Sequence, residues 1–119
     1  MNRYRKGADF ERALAAALRS RGIWVIRSAG SKGPADLVAW HGGRKALIQC
    51  KAGGNASPLE VQALRAAARA LGGTAWVVSR TPRGSEAWHL VYPETMQGLV
   101  STRSQVLAWL EGEESLPWA

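Results

Sequence analysis

The sequence predicts an α/β fold in which helices flank a mixed central β-sheet, with the core elements in the order αβββαβ. Three observations predict it: an amphipathic helical pattern near the N-terminus, a hairpin of two β-rich segments, and a second amphipathic segment before a further β-rich segment. A hairpin gives an antiparallel pair and a helical crossover gives a parallel pair, so the sheet is mixed. With 119 residues the chain can bury one modest core, and we expect a single domain over 1–119.

The first helix is predicted over about residues 7–21, because apolar residues recur there at the spacing of one helix face. This face contains Phe10, Ala13, Leu14, Ala17 and Leu18. Gly22 is expected to end the helix. The segment "IWVIRS" follows and is rich in the β-branched and aromatic residues that favour strands, whereas "AGSKGP" after it is typical of a loop.

The next two strands are predicted at "ADLVAW" and "RKALIQCK", joined by "HGG". Glycines in that connection supply the positive φ angles that a tight hairpin requires. The loop "KAGGNASP" leads into a second helix, for which Ser57 is a capping residue and Pro58 suits the first turn. This helix is expected to run to Leu71, with Gly72 and Gly73 as its stop. Its buried stripe is predicted to be Leu59, Leu64, Ala67, Ala68 and Leu71.

The last third of the chain contains weaker signals. "TAWVVSR" predicts a strand, "EAWHLVY" an edge strand, and "SQVLAWLEG" a short amphipathic helix before a tail that we expect to fray over about residues 112–119. The apolar residues of that short helix are candidates for a dimer interface: Val106, Leu107, Trp109 and Leu110. Three of the six tryptophans are expected to fill the core: Trp24, Trp40 and Trp76.

Charge and cysteine content narrow the class of protein. Lys and Arg outnumber Asp and Glu by 16 to 9, and the pI is near 10.5, so polyanions such as nucleic acid are the first partners to consider. Cys50 is the only cysteine, which excludes an intrachain disulfide and a Cys-rich zinc site and is typical of a cytoplasmic protein. The N-terminal segment has neither the apolar run of a secretory signal nor a membrane span.

Three polar residues are predicted to meet at one end of the apolar hairpin. Side chains alternate along a strand, so Gln49 and Lys51 point the same way, and pairing through "HGG" brings Asp36 beside them. Glu11 lies at the margin of the buried face of the first helix and could add a second carboxylate. Oxygen ligands that hold Mg²⁺, with a lysine beside them, suit metal-assisted hydrolysis of a phosphodiester.

Simpler interpretations of the same residues remain open at this point. Asp36 could cap a turn at a strand end, and Glu11 could form a solvated ion pair with Arg12 or Arg19. His41 and His89 lack the spacing of a metal-ligand pair.

The pattern "D…QCK", together with the element order, resembles the PD-(D/E)XK nuclease superfamily and its restriction-endonuclease-like core. The longer segment "RKGADFERALAAALRSRGIWVIRSAGSKGPADLVAW" is similar to the archaeal-type Holliday junction resolvases and their phage relatives. In that family a basic opening leads into a helix that bears an acid, then a strand ending in arginine, a Ser/Gly-rich loop and the catalytic aspartate. The resemblance covers about residues 5–80.

The resemblance implies roles for individual residues. The catalytic set would be Glu11, Asp36, Gln49 and Lys51, in which Glu11, Asp36 and Gln49 hold the metal. The set facing DNA would be Arg5, Lys6, Arg27, Ser31, Lys32 and Gln62. The implied cofactor is Mg²⁺, with Mn²⁺ as an alternative, and the implied substrate is a four-way DNA junction. Because such a junction is nearly two-fold symmetric and needs paired cuts, a homodimer is expected.

One position departs from the family pattern, because resolvases usually carry glutamate where this chain has Gln49. A carboxamide oxygen still coordinates Mg²⁺, but the lost negative charge should weaken metal binding. Two alternatives therefore stay open: a related nuclease acting on flap, mismatched or modified DNA, and a DNA-binding module with a decayed nuclease site.

Overall fold

The chain folds as a six-stranded mixed sheet with helices on both faces. The computed structural model describes residues 3–28 and 33–112, without the side chains of residues 3–6. In chain order the elements are α1 (Arg3–Arg19), β1 (Trp24–Arg27), β2 (Leu37–His41), β3 (Arg44–Lys51), α2 (Pro58–Leu71), β4 (Thr74–Arg80), β5 (Glu86–Tyr92), a 3₁₀ turn (Glu94–Met96), β6 (Val100–Ser101) and α3 (Arg103–Leu110). The predicted αβββαβ order and the mixed sheet are confirmed.

The hairpin of β2 and β3 forms as the sequence predicts. His41 pairs with Arg44 and Leu37 with Ile48, so Gly42 and Gly43 form the turn. Gly42 has a φ of 58°, in the left-handed region that glycine adopts without strain. The crossover through α2 then brings β4 parallel to β3, and the six strands lie side by side in chain order.

Both ends of α2 carry the signals expected of a helix. The Ser57 side chain accepts a hydrogen bond from the Glu60 backbone N–H, and the Glu60 side chain accepts one from the Ser57 backbone, which is a capping box. Gly72 ends the helix at a φ of 69°. Gly73 then passes so close to β3 that a Cβ there would lie 3.0 Å from the Cβ of Lys45.

The core has one layer on each face of the sheet. The face covered by α1 and α3 carries the larger layer, which includes Phe10, Leu14, Leu18, Ile48, Trp76, Trp88 and Leu110. The face covered by α2 carries a smaller layer built from Ala35, Leu47, Leu64, Ala68, Ala75 and Val77. Cys50 belongs to the larger layer, as its alternation with Gln49 predicts.

The helix predictions needed three corrections, of which the first is that Ala13, predicted on the apolar face of α1, is exposed. α1 begins at Arg3, earlier than the predicted start near residue 7, because the polar first turn continues the same helix. The predicted stripe of α2 is wrong at both ends, since Leu59 is 77% exposed and Leu71 is 50% exposed. Only the middle of α2, at Leu64 and Ala68, lies flat on the sheet.

The prediction of a buried Trp24 is also wrong. Trp76 is fully buried and packs edge-on against Trp88, as a core tryptophan should. Trp24 is 69% exposed and stacks on Trp40, with ring centroids 6.0 Å apart. The cause is topological, because β1 is at the edge of the sheet whereas α2 contacts β3, β4 and β5.

The C-terminal helix α3 packs against the sheet of its own chain. Its apolar residues, proposed from sequence as a dimer interface, are buried in the larger core layer: Val106, Leu107, Trp109 and Leu110. That prediction is wrong, since a side chain that already packs on its own sheet cannot also cover a partner. β5 is not the edge strand either, because β6 pairs with it at Trp88 and His89.

Two further predictions concern the ends of the chain and the membrane. The tail expected to fray over 112–119 lies, beyond Gly112, outside the described residues. Within the described part of the chain, no helix combines the length and the apolar character needed to cross a bilayer.

Candidate active site

Glu11 reaches the sheet from α1 and is almost completely buried, at 7% exposure. It follows Phe10, which belongs to the larger core layer, so the carboxylate is held at the edge of that layer. Its Oε1 lies 3.6 Å from Nε of Arg27, the last residue of β1. Burial raises the pKa of Glu11, the nearby Asp36 raises it further, and Arg27 opposes both effects.

Asp36 directly precedes β2 and is 4% exposed. Its backbone N–H donates to Ile48 O at 2.8 Å, and its Oδ2 accepts a hydrogen bond of 2.8 Å from the Cys50 backbone N–H. The carboxylate therefore extends the β2–β3 ladder and is fixed against the end of β3. Burial raises the pKa of Asp36, while the bond from Cys50 and the positive charge of Lys51 oppose that rise.

Gln49 and Lys51 lie at the carboxyl end of β3 and point to the same face, as predicted. Both contact one carboxylate that the sequence analysis did not place in the site. Lys51 Nζ donates to Glu60 Oε2 at 2.8 Å, and Gln49 Nε2 donates to the same oxygen at 3.3 Å. The hydrogen bond from Lys51 is the main reason that the pKa of Glu60 is lowered, with a further contribution from Ser57.

Glu60 is thus the residue that sequence reasoning missed. A signal was present, because "SPLE" is the S-x-x-E pattern of a capping box, which places the glutamate in the first turn of α2. The loop over residues 52–57 brings that first turn back to the end of β3. Sequence spacing identifies the cap, but not the fact that it faces Lys51.

All of these side chains line one cleft of about 950 Å³: Glu11, Arg27, Asp36, Gln49, Lys51 and Glu60. Its walls are the start of α1, the end of β3, the first turns of α2 and the glycine-containing loops on either side. Gly53 and Gly54 have φ values of 143° and 71°, which other residues adopt only with strain. Neither glycine adds a side chain to the cleft wall, so the loop after β3 leaves room for a large ligand at the polar floor.

The donor set fits a hard divalent cation. Glu11 and Asp36 are both buried, and burial is the main cause of the raised pKa of each carboxylate, so both are short of positive charge although Arg27 and Lys51 partly offset it. Carboxylate and amide oxygens are the ligands that Mg²⁺ and Mn²⁺ prefer. Within residues 3–28 and 33–112 no group of three or more His, Cys, Asp and Glu side chains could hold a metal, so a third protein ligand would be the Gln49 amide.

The residues predicted to face DNA are only partly placed. Arg27 lines the cleft, and its Nε is buried without a hydrogen-bond partner. Gln62 is exposed on α2 and does not line the cleft. Arg5 and Lys6 lie in the first turns of α1, but their side chains fall outside the described part, as do Ser31 and Lys32 entirely. Contact of these residues with DNA stays a prediction.

The core consists of a helix, a three-stranded meander, a crossover helix and a parallel strand. It carries an acid, an amide and a lysine where β2 begins and β3 ends. This fold and this site together define a restriction-endonuclease-like protein. The chain belongs to the archaeal Holliday junction resolvase (Hjc) family, whose model matches residues 2–107.

Two relatives illustrate the similarity. Over 50 residues, the chain is 50% identical to the crossover junction endodeoxyribonuclease Hjc of Methanocaldococcus jannaschii. That match covers 42% of this chain and 37% of the relative, so it spans little more than a third of the relative's length. The structure of Archaeoglobus fulgidus Hjc, a Holliday junction resolvase from an archaeal hyperthermophile, superimposes with a TM-score of 0.72 at 27% identity. The superposition covers 93% of this chain and 99% of the Archaeoglobus fulgidus chain.

Proposed function

We propose that this chain is a divalent-metal-dependent endonuclease that resolves four-way DNA junctions by paired nicks. One observation carries the proposal: a member of this family brings Glu11, Asp36, Gln49 and Lys51 to the floor of a single open cleft. We infer Mg²⁺ as the cation, with Mn²⁺ as an alternative, from the oxygen donors, and a cytoplasmic location from the single unpaired cysteine.

Each side chain has a role that follows from its position. Glu11, Asp36 and the Gln49 amide would hold the cation, which when bound polarises the phosphate and lowers the pKa of a water. Lys51 places an ammonium group beside the acids, where it can orient the attacking water or offset charge on the phosphate in the transition state. Arg27 contributes a partly buried guanidinium at the cleft wall, beside Glu11, and a guanidinium in that position can donate to a phosphate oxygen.

The substrate is inferred from charge as well as from family. The formal net charge is +7 at pH 7, which suits a ligand rich in phosphates. We propose phosphate contacts by Arg27 within the cleft, and we extend the same role to Arg5, Lys6, Ser31, Lys32 and Gln62. Binding of this kind selects the shape of a junction and not its base sequence.

A homodimer would supply the two active sites that paired cutting requires, and the structure offers a surface for it. We name as the Trp24 face the outer side of the β1–β2 pair, formed by Trp24, Ile26, Val38 and Trp40. Cross-strand pairing puts these four residues on one side of the sheet, and Trp24 and Ile26 are 69% and 59% exposed. A second copy suits this surface, because an isologous contact places each exposed apolar residue against an equally apolar partner.

The dimer is tested by the substitution Trp24→Arg, which places like charges near the proposed two-fold axis. Sedimentation velocity should report a dimer for the wild-type protein and a monomer for Trp24→Arg. Val100→Arg is the matched control, since Val100 is an exposed apolar residue (54%) on β6, at the opposite edge of the sheet. A wild-type monomer, or a dimer that survives Trp24→Arg, would contradict this assignment.

The substrate is tested by comparing a synthetic four-way junction with linear, flapped and mismatched duplexes of the same sequences in Mg²⁺. Cleavage confined to the junction and lost in Asp36→Ala is the expected result. Preference for the flap or mismatch would indicate the related nuclease activity instead. Junction binding without cleavage in Mg²⁺ or Mn²⁺ would favour a decayed site.

A further inference from the structure

The carboxylate of Glu60 joins a helix cap to the active site. Its Oε1 accepts a hydrogen bond of 2.8 Å from the Ser57 backbone N–H, which completes the capping box of α2. Its Oε2 accepts hydrogen bonds from Lys51 Nζ at 2.8 Å and from Gln49 Nε2 at 3.3 Å. Glu60 is the one described residue that contacts both polar side chains at the end of β3 in these hydrogen bonds.

This contact selects one orientation of the Gln49 amide. A primary amide has a donor end, which cannot bind a cation, and an acceptor end, which can. An ionised carboxylate accepts hydrogen bonds and does not donate them, so Glu60 pairs with Nε2 and repels Oε1. The carbonyl oxygen of Gln49 is therefore left for a ligand on the other side of the amide.

The hydrogen bond between Gln49 and Glu60 also accounts for the amide at position 49, where resolvases usually carry glutamate. A glutamate at position 49 would bring a second carboxylate about 3.3 Å from Glu60 and set two acids in competition for Lys51. With Gln49, the carboxylate that is hydrogen-bonded to the lysine is supplied by α2 instead of β3. The amide at position 49 and the acid at position 60 thus form a matched donor–acceptor pair.

We propose that Glu60 is a positioning residue of the catalytic centre, which turns the carbonyl oxygen of Gln49 toward the cation site and holds Lys51 Nζ at the cleft floor. The inference rests on the proposed function, since it assumes that Asp36, Glu11 and Gln49 bind a divalent cation. Glu60 acts through Gln49 and Lys51 and need not touch substrate or metal itself.

The test uses binding of Mn²⁺ alone to the full chain, followed by electron paramagnetic resonance, so that no cleavage is required. Glu60→Gln keeps a side chain that can still complete the capping box, but its amide now offers a donor to Gln49 and Lys51. We expect Mn²⁺ affinity to fall about 10-fold or more, as it does when other outer-shell partners of metal ligands are removed. Thermal unfolding of each variant checks that α2 remains folded.

Two further variants separate positioning from helix capping. Ser57→Ala removes the capping hydroxyl but leaves the contacts of Glu60 with Gln49 and Lys51, so it should leave Mn²⁺ affinity within about threefold of wild type. Gln49→Glu placed in the Glu60→Gln background should restore affinity, because both carboxylate oxygens of a glutamate can bind a cation without selection of one end.

The outcomes distinguish this inference from the proposed function. If wild-type protein fails to bind Mn²⁺, or if Asp36→Ala binds it equally well, the metal site itself is refuted and the inference falls with it. If binding depends on Asp36 but Glu60→Gln leaves it unchanged, only the positioning role is overturned. An equal loss in Ser57→Ala, or no recovery in Gln49→Glu/Glu60→Gln, also overturns it.

Discussion

Neutralising Asp36 should stabilise the metal-free protein while removing its response to metal. The perturbation is Asp36→Asn, which keeps an oxygen that can accept the hydrogen bond from the Cys50 backbone N–H. Burial raises the pKa of both Asp36 and Glu11, so the folded chain binds protons at these groups more tightly than the unfolded chain does. The free energy of unfolding therefore decreases as pH rises from the ordinary carboxyl pKa through the raised values.

Asp36→Asn removes one of the two buried charges that cause this loss. Without metal, the variant should unfold at a higher temperature than wild type above that pH window, and the difference should disappear below it, where the wild-type carboxyls are protonated. Thermal unfolding followed by circular dichroism in metal-free buffer at pH 3, below the ordinary carboxyl pKa, and at pH 8 measures both values. If Asp36→Asn is less stable than wild type at pH 8, the pKa of Asp36 is not raised in the folded chain.

Metal should reverse the order of the two melting temperatures, so that wild type becomes more stable than Asp36→Asn. A cation that binds only the folded chain, at a free concentration about 100 times its Kd, adds about 2.7 kcal/mol to the free energy of unfolding. An unfolding entropy of about 2.1 cal/mol/K per residue gives roughly 0.25 kcal/mol/K for 119 residues, so Tm should rise by about 11 °C. Asp36→Asn should show little of this rise. An equal rise in both proteins would refute the assignment of Asp36 as a metal ligand.

The remaining predictions concern packing, backbone conformation and the lysine. Leu64→Ala should lower the free energy of unfolding by about 2–5 kcal/mol in urea titrations, whereas Leu59→Ala on the exposed side of α2 should change it by less than about 0.5 kcal/mol. Gly72→Ala should cost roughly 1–2 kcal/mol in the same titrations, because position 72 has a left-handed φ; an unchanged midpoint would contradict that conformation. Lys51→Met should lower the junction cleavage rate by about 10²–10³-fold and retain junction binding in a gel-shift assay. Loss of binding and cleavage together would argue against a role in the chemical step.

Several elements could be predicted from the sequence because independent local signals coincide. Gly42 and Gly43 fix the hairpin turn, which sets the register that brings Asp36 next to the end of β3. Ser57 and Gly72 fix the two ends of α2 independently of its apolar pattern. Alternation along β3 was then sufficient to predict that Gln49 and Lys51 point the same way.

The wrong predictions concern burial and side-chain contacts that depend on how elements distant in the sequence pack together. Periodicity shows that α2 is amphipathic, but it does not show how much of the helix lies over the sheet, so Leu59 was assigned wrongly to the core. Residue type favours burial of Trp24, yet the strand order puts it on an edge strand that α2 does not reach, and Trp24 lies on the face opposite α1. Glu60 was visible as part of a cap, but its contacts with Lys51 and Gln49 depend on how the loop over 52–57 folds back.

Junction resolution by this chain is tested most directly by cleavage of a four-way junction in which each strand is labelled in turn, with wild-type protein and Asp36→Ala in Mg²⁺. A dimeric junction resolvase should make nicks at symmetry-related positions in two opposing strands with the wild-type chain and none with the variant. Cuts in a single strand, cuts without symmetry, or equal cleavage by Asp36→Ala would contradict that prediction.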